Sequence, residues 1–343
     1  MGDKSERAYW WIDARANALS KWIDANRGRL LLIAVFAWMG IWGLLLEGRE
    51  DLDTFGRLIR GMGPELAGIV IAAVTIDALA ERRQRQSRKK QLIRQLGSKY
   101  RDVTEMALLE LRHEGWLDDG SLRGVNLTGA NLSGANLIDA NLSDVTFWQA
   151  DLSEAFLMDA RLPRSNFNSA NLRNAIARGA DLREANLEFA NLAQIHLEGA
   201  DLHGARLWRP NLGGVHLDDA NLSNARLVEA DLIRASLCRA NLEMAYLHLA
   251  RLDRADLPGA NLNGATLSGA SLREVDLTRA QNWSIGQLAS AEALEGAIMP
   301  DGAQLRQEGT ENRERIDGLT FGEWKAQYLA THGGDESDIR DPR

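Results

Sequence analysis

The sequence predicts an all-β solenoid that follows an α-helical membrane hairpin and a helical cap. Three observations predict this fold class. An apolar residue, nearly always Leu, recurs at every fifth position from Leu122 to Leu277. A long stretch without a charged side chain, Leu30–Leu46, lies well before this repeat. A concentrated block of basic residues separates the two, so the chain combines segments of different chemistry.

Composition excludes several classes of protein. The 343 residues carry 40 Lys and Arg against 48 Asp and Glu, a net charge of −8. A single cysteine, Cys238, excludes an internal disulfide framework and a zinc site built from cysteines. Five segments are predicted: an amphipathic interfacial helix (1–27), a transmembrane hairpin (28–81), a basic juxtamembrane helix with an N-terminal cap (82–120), the repeat (121–280), and a C-terminal cap with a short helix and a disordered tail (281–343).

Leu30–Leu46 predicts the first membrane span. At about 1.5 Å per residue it reaches the short end of the length that crosses the hydrocarbon core of a bilayer. A buried core helix is the alternative, but a helix that is apolar on every side needs a large protein around it. No small-residue cleavage pattern follows the stretch, which argues against a secretory signal. Upstream, Trp10, Trp11 and Trp22 lie at helical spacing among basic residues and predict a helix in the headgroup layer.

A weaker apolar stretch, Met62–Ala80, predicts the second span. Its charge-free core, Leu66–Ile76, is short, which by itself is typical of an interfacial or buried helix. The basic block that follows at once favours a span, since Lys and Arg commonly flank one on its cytoplasmic side. Asp77 is interpreted as an acid at the membrane interface, and a functional carboxylate within the membrane is the alternative.

Positive charges near the spans predict the orientation. Six Lys or Arg precede the first span, three lie between the spans and seven follow the second. The positive-inside rule then places both termini in the cytoplasm, in a multi-pass protein of the cell inner membrane. The basic block is predicted to bind anionic lipid rather than nucleic acid, because it directly follows a span. The predicted lipid-binding residues are Arg82, Arg83, Arg85, Arg88, Lys89 and Lys90.

The five-residue period is unbroken over 32 positions. Of these, 29 are Leu, two are Phe (Phe147 and Phe167) and one is Ala177. Two residues earlier, 24 of the 32 positions hold Ala. A period of five matches neither the 3.6 of a helix nor the alternation of an ordinary strand, so it predicts a solenoid. Ala177 leaves a gap in the row of leucines, and Ile195, which occupies an Ala position on the same face one coil later, is predicted to fill it.

This pattern resembles the pentapeptide-repeat family, with its A(D/N)LXX signature, over residues 121–280. The resemblance implies a right-handed quadrilateral parallel β-helix in which the central Leu and the preceding Ala point inward. Four pentapeptides form one coil, so 32 imply eight coils and, at about 4.8 Å per coil, a rod of roughly 38 Å. With its membrane segments, the chain is similar to a bacterial subgroup that has an N-terminal membrane hairpin, and this similarity implies no established activity.

Both ends of the solenoid need caps, because their backbone groups are otherwise unpaired. Asp102–Glu105 has the pattern of a capping box and Gly115 is typical of a helix stop. Residues 284–294 predict a short helix beyond the repeat, and residues 322–332 predict another around Trp324 and Tyr328. The apolar surface of the N-terminal cap is expected from Val103, Met106, Ala107, Leu109 and Leu111, with Trp116 and Leu117 closing the first coil.

The unbroken register predicts that residues 20 apart stack in columns. The face of Asn131, Asp151 and Asn171 is polar throughout, whereas two other faces carry outward apolar side chains. A contiguous apolar patch indicates a partner protein or a homodimer seam, and tolerated drift or contact with the chain's own tail is the alternative. The Trp208 surface comprises Phe189, Trp208, Val228, Tyr246 and Leu249. The Phe156 surface comprises Ile138, Phe156, Met158 and Ile176.

Four metal-ligating side chains are also predicted to stack. His196 and His216 lie one predicted coil apart, and Glu198 and Asp218 lie beside them in the same register. Two imidazoles and two carboxylates in a square match the ligands of a divalent metal ion. Ordinary outward polar residues are the alternative, and no cofactor is predicted.

The predicted function is a non-enzymatic, membrane-anchored scaffold for protein–protein interaction. The sequence holds no nucleophile–base constellation, Gly-rich phosphate loop or HExxH motif. Quinolone-resistance members of the family are dimeric acidic rods that imitate DNA and bind gyrase, so a DNA-mimicking regulator of gyrase or topoisomerase is the alternative. The repeat has 15 Arg against 19 acidic residues, so its surface charge is mixed and imitates a DNA duplex only weakly. The expected partners are the lipid bilayer and an unidentified cytoplasmic or membrane protein, with a second copy of the chain as an alternative partner and nucleic acid not expected.

Overall fold

The computed structural model describes residues 53–305 and 319–332. The chain divides into two compact units, residues 1–87 and 88–343. In the first unit the described residues, 53–87, are all helical. The helices of the described residues are α1 (Asp53–Leu96), α2 (Arg101–His113), α3 (Ile285–Ala289) and α4 (Phe321–His332).

The predicted second span, Met62–Ala80, lies entirely within α1. Among the residues that the structure describes, no helix is both long enough and apolar enough to cross a membrane. In α1 the charge-free core is short because Glu65 and Asp77 bound it. The second half of the predicted hairpin is thus not found among these residues. Leu30–Leu46 and the predicted interfacial helix of residues 1–27 lie outside the described residues.

The repeat forms a four-sided β-helix with parallel coils. Asn131 pairs with Asp151, and Asp151 with Asn171, in parallel bridges one coil apart. Equivalent columns begin at Asn126, Asn136 and Asn141, so each coil has four paired sides. In the described residues these pairings are single-residue bridges rather than longer strands, because a turn follows each side almost at once. The predicted β-helical solenoid is confirmed, and its handedness stays a prediction.

The corners of the coil adopt the left-handed backbone conformation. From Gly124 to Arg279, all of which the structure describes, the second residue after every central position has a positive φ. At 22 of these 32 corners the residue is not glycine, although L-residues pay roughly 1 kcal/mol for this conformation. Backbone hydrogen bonds hold it: the N–H of Gln149 donates to the carbonyl of Asn168 in the next coil at 3.1 Å. Regular pairing between coils therefore overrides the local preference.

The interior is a continuous apolar column. From Leu122 to Leu277, every central side chain is at most 3% exposed. Phe147 and Phe167 stack within it, with ring centroids 4.8 Å apart. Burying each leucine stabilises the fold by about 1.5–3 kcal/mol before the cost of chain entropy, so the row supplies the main stabilising term.

The N-terminal cap differs from its predicted form. Helix α2 begins at Arg101, with Tyr100 as an extended N-cap that receives no side-chain capping bond, so Asp102 lies in the first turn and forms no capping box. Val103, Met106 and Leu109 face outward, while the buried face holds Thr104, Ala107, Leu108 and Leu111. Ala107 and Leu111 are thus buried as predicted, whereas the prediction was wrong for Val103, Met106 and Leu109. The hydroxyl of Thr104 fixes the rotation of the helix by donating to the carbonyl of Asn131 at 2.6 Å, and this contact turns the other face outward. Gly115 ends the helix as predicted, with a φ of 69°.

The C-terminal cap is built on an aromatic cluster. Helix α3 is shorter than the predicted 284–294 because Ala293 returns to the β-helix and pairs with Ser271. Ser284 caps this helix in a reciprocal capping box with Gln287. Helix α4 agrees with the predicted helix at residues 322–332 and buries Trp324. The four aromatic residues in contact are Trp283, Phe321, Trp324 and Tyr328.

Candidate interaction surfaces and a histidine cluster

The Trp208 surface contains three exposed aromatic side chains of the β-helix. Phe189 is 46% exposed and Trp208 is 41% exposed, with Tyr246 and Leu249 similar and Val228 half-buried. Phe189 and Trp208 lie in successive coils, which are joined at this point by the bond that the N–H of Phe189 donates to the carbonyl of Trp208. Their rings meet edge to face, with centroids 4.9 Å apart. The two rings thus stabilise each other while both keep much of their area in water.

Charged groups border this surface. The guanidinium carbon of Arg209 lies 5.3 Å from the centroid of the Trp208 ring, within the range of a cation–π contact. The same guanidinium donates from Nε to the Glu229 carboxylate in the next coil at 2.7 Å. Arg209 is thereby held beside Trp208, so a partner would meet an aromatic centre with a polar border.

The backbone under Phe189 makes the exposed ring costly for the fold. Phe189 and Leu249 occupy corners with φ of 57° and 56°, the conformation that glycine or asparagine adopts with least strain. Such strain costs roughly 1 kcal/mol, and a side chain that remains nearly half exposed recovers little of it by burial. The fold itself therefore gains little net stability from a large apolar side chain at these corners.

Sequence reasoning missed two members of the same region. Trp148 and Met244 are both exposed, and Trp148 lies in the column of Trp208 three coils earlier. The five-residue register places both at outward positions, and this is the signal that could have found them. Sequence reasoning also missed the exposed outward side of the N-terminal cap, formed by Tyr100 and by Val103, Met106 and Leu109 of α2.

The Phe156 surface is smaller. Phe156 pairs with Ile176 in adjacent coils, as the register predicted. Phe156 is exposed, but Ile138, Met158 and Ile176 are half-buried. Arg112 of the cap reaches over the edge of this surface and donates to the carbonyl of Ile138 at 3.3 Å. The structure therefore brings the four residues together but leaves less apolar area accessible than on the Trp208 surface.

The predicted lipid-binding block separates into two groups. Arg88 donates from Nε to the Glu110 carboxylate at 2.6 Å, which lowers the pKa of Glu110 and raises that of Arg88. Lys89 pairs with Asp119 at 3.2 Å and lies 4.8 Å from the Trp116 ring centroid. These two cations hold the N-terminal cap together. Arg82, Arg83, Arg85 and Lys90 are exposed, and Arg88 is exposed as well despite its ion pair with Glu110.

The histidine cluster comprises His196, Glu198 and His216. The two imidazole rings stack with centroids 4.5 Å apart and planes 2° apart. His196 Nδ1 lies 2.9 Å from Glu198 Oε1. One potential ligand atom from each of the three residues lies within 4.8 Å of the other two. All three side chains are half-buried, so the cluster is open to solvent.

Asp218, the fourth predicted ligand, has other partners. Its Oδ1 accepts a hydrogen bond from the Ser236 hydroxyl at 2.6 Å and another from the N–H of Cys238 at 2.9 Å. The structure thus brings together three of the four predicted residues. The pKa of Glu198 is lowered: burial alone raises it, but the combined hydrogen bonds from His196, its own backbone and Arg178 outweigh burial. Glu198 is therefore an anion at neutral pH.

The single thiol does not resemble a catalytic nucleophile. Burial raises the pKa of Cys238, and the nearby Asp218 carboxylate raises it further, although a hydrogen bond from Ser236 acts in the opposite direction. A reactive cysteine requires the reverse, an electropositive setting that lowers the pKa. Cys238 is therefore a protonated, half-buried side chain of one coil.

Comparison with known proteins identifies relatives that share the repeat. A search of curated proteins found no match. A family model described as pentapeptide repeats matches in eight copies, over residues 121–157, 140–179, 180–218, 216–254 and 245–281.

Solved structures with the same repeat are also similar. HetL, a pentapeptide repeat protein involved in heterocyst differentiation regulation from the cyanobacterium Nostoc sp. strain PCC 7120, is 36% identical over 52% of this chain and 86% of its own, with a TM-score of 0.28. Rfr23, from the cyanobacterium Cyanothece 51142, is 27% identical over 36% of this chain and 90% of its own, with a TM-score of 0.29. QnrB1, a plasmid-mediated fluoroquinolone resistance protein, is 17% identical over 57% of this chain and 88% of its own, with a TM-score of 0.27.

Proposed function

Because this chain belongs to the pentapeptide-repeat family, we propose that its β-helix is a non-enzymatic protein-interaction module that binds a partner protein through the Trp208 surface. The observation that carries the proposal is Phe189, an exposed aromatic side chain on a left-handed backbone. A large apolar side chain that adds little net stability to the fold and remains in contact with water indicates a contact with another molecule.

The chemistry of the surface supports a protein partner. Residues that dominate the binding energy of protein interfaces are enriched in Trp, Tyr and Arg, and Trp208, Tyr246 and Arg209 lie within three coils. The backbone hydrogen bonds between coils fix the spacing of these side chains at about 4.8 Å per coil. A partner therefore meets a preorganised surface, which reduces the entropy lost on binding.

Membrane attachment is the second part of the proposal. It rests on the charge-free stretch Leu30–Leu46 and on the exposed basic residues Arg82, Arg83 and Arg85, whose positive charge would attract anionic headgroups. The rod would then be held at the cytoplasmic face of the cell inner membrane. A reporter fused to the C-terminus tests the orientation: cytoplasmic activity supports it, and periplasmic activity overturns it. The double variant Phe36→Asp, Ile41→Asp should release the protein from the membrane fraction, since a buried charge costs about 3 kcal/mol at mid-bilayer.

Proximity labelling from the rod tests the interaction surface. In cells, the double variant Phe189→Asp, Trp208→Asp should lose a discrete set of labelled proteins. The matched control is Phe156→Asp, which also places a charge on an exposed phenylalanine but on another face. Thermal unfolding followed by circular dichroism checks that both variants remain folded. Identical labelled sets for the wild type and the double variant would refute the Trp208 surface, and loss with Phe156→Asp alone would assign binding to the other face.

Mimicry of DNA is the competing function, and the ion pairs of the rod argue against it. Carboxylates in successive coils are paired with arginines, as in Arg164 with Asp144 at 2.8 Å and Arg254 with Glu274 at 2.8 Å. A duplex mimic needs rows of uncompensated negative charge, which this pairing removes. A gyrase supercoiling assay discriminates the two functions: no inhibition at micromolar protein supports the interaction module, and inhibition supports mimicry.

A further inference from the structure

We propose that the histidine cluster, His196, Glu198 and His216, binds a divalent transition-metal ion of the zinc, nickel and copper class. Two imidazoles and one carboxylate form a ligand set that such ions favour in proteins. Their potential ligand atoms already lie within 4.8 Å of one another on a rigid backbone. This site is independent of the Trp208 surface, because the two lie on different faces of the coil.

The backbone places the two histidines for joint coordination. His196 and His216 pair in a parallel bridge, and the N–H of Leu197 donates to the carbonyl of His216 at 2.7 Å. Metal–ligand distances of about 2.0–2.2 Å require ligand atoms roughly 3.4 Å apart. The most widely separated ligand atoms must therefore move closer by about 1.4 Å, a movement that rotation of half-buried side chains supplies without displacing the coils. His196 Nδ1 and Glu198 Oε1 already lie 2.9 Å apart.

The ligand set also defines which ions are excluded. Magnesium and calcium prefer oxygen ligands only, so two imidazole nitrogens disfavour them. Affinity among transition metals is expected to rise from manganese through cobalt and nickel to copper. Three protein ligands leave at least one coordination position for water.

Arg178 competes with the metal ion for the cluster. Its guanidinium lies 3.3 Å from each oxygen of Glu198 and 3.4 Å from His196 Nδ1. Metal binding must displace this cation from the carboxylate. Removing the positive charge of Arg178 should therefore strengthen metal binding, whereas a merely structural ion pair would give no such gain.

Isothermal titration of the metal-free, full-length chain with Ni²⁺ and with Zn²⁺ tests the site. The protein is purified in detergent without a polyhistidine tag. One ion per chain is expected, with affinity reduced at least about tenfold by His196→Ala and by His216→Ala. The matched control, His248→Ala, removes a surface histidine elsewhere on the rod, whose Nδ1 lies 2.9 Å from the Ser268 carbonyl, and should bind as the wild type does. Arg178→Gln should bind several-fold more tightly.

Two further measurements separate coordination from altered folding. Co²⁺ bound to the wild type should absorb visible light as a ligand-field band, which His196→Ala should abolish while its circular dichroism stays that of the wild type. Binding should also weaken in acid, because protons compete with the metal ion for the ligand atoms. Equal heats for the wild type and His196→Ala, or weaker binding by Arg178→Gln, would overturn the proposal.

Discussion

Phe147 and Phe167 lie in successive coils with their ring planes 9° apart and their centroids 4.8 Å apart. Both side chains are fully buried in the position that leucine occupies elsewhere. The spacing between coils, about 4.8 Å, falls within the range of about 4.5–7 Å that separates the centroids of paired aromatic rings. The two phenylalanines therefore fit the interior of the solenoid as a pair, and each ring stabilises the other in its buried position.

The first prediction concerns this pair. Phe167→Ala should reduce the free energy of unfolding by about 3–5 kcal/mol, since it removes a buried ring and leaves a cavity. Urea unfolding followed by circular dichroism measures the loss. In a double-mutant cycle with Phe147→Leu and Phe167→Leu, the coupling should be about 1 kcal/mol. Strictly additive effects would show that the two rings do not interact.

The second prediction concerns Ala177 and Ile195, which are both fully buried in adjacent coils. If Ile195 fills the space that Ala177 leaves, Ile195→Ala should cost about 2–4 kcal/mol. Ala177→Leu should also destabilise the fold by overpacking, at about 1–3 kcal/mol. The double variant Ala177→Leu, Ile195→Ala should be more stable than either single variant. A double variant that is less stable than both would contradict the exchange of volume between the two positions.

The third prediction concerns the polar face, where the sequence indicated only plain polar residues. The structure shows a ladder there: Asn171 donates from Nδ2 to Asp151, Asn191 to Asn171, and Asn211 to Asn191, at 3.0–3.3 Å. Asn191→Ala should cost about 1–3 kcal/mol because neighbouring amides lose partners. Arg226→Ala, at the equivalent position of another face, is the control and should cost less than about 0.5 kcal/mol. Equal costs in thermal or urea unfolding would show that the ladder does not stabilise the coils.

The fourth prediction concerns pH. Burial raises the pKa of Asp256, and the nearby Asp276 and Asp218 carboxylates raise it further. The folded state then holds the Asp256 proton more tightly than the unfolded state, so stability falls as pH rises from the unfolded pKa towards the folded one. Asp256→Asn should therefore raise the Tm at pH 7, with the gain shrinking towards pH 3.

Asp219→Asn provides the opposite sign. The hydrogen bond from Arg239 lowers the pKa of Asp219, so this carboxylate stabilises the fold above its unfolded pKa and loses that effect as pH falls. The variant should have a lower Tm at pH 7 and approach the wild type in acid. Melting curves from pH 3 to pH 7 measure both variants, and shifts of the same sign would refute this account of the two carboxylates.

The fifth prediction separates binding from folding at Phe189. Phe189→Asn loses the contact with Trp208 but relieves the left-handed backbone, two effects of roughly 1 kcal/mol that oppose each other. The free energy of unfolding should therefore stay within about 0.5 kcal/mol of the wild type, in contrast to Phe167→Ala. A loss as large as that of Phe167→Ala in the same urea titration would mean that the ring of Phe189 serves the fold rather than a partner.

The five-residue register alone predicted the solenoid, its interior and its columns, because every coil repeats the same pairing. It correctly stacked His196 on His216 and Phe156 on Ile176. It could not predict where a polar side chain turns among several neighbours, and Asp218 binds Ser236 and Cys238 instead of facing Glu198.

The caps were harder to predict because no repeat constrains them. The rotation of α2 depends on a tertiary hydrogen bond from Thr104 to a backbone carbonyl, which local patterns do not encode. The same holds for the division of the basic block, where Arg88 and Lys89 found acidic partners far away in the chain, Glu110 and Asp119. Periodic segments were thus predictable from local sequence, and the segments that end them were not.

The uniform corners of the rod make its length a modular quantity. Since each coil joins the next through the same backbone contacts, removing one coil should leave the remaining coils intact and shorten the rod by about 4.8 Å. Adding or removing whole coils can therefore change the distance between Phe189 and the terminal aromatic cluster in fixed increments without redesigning either end.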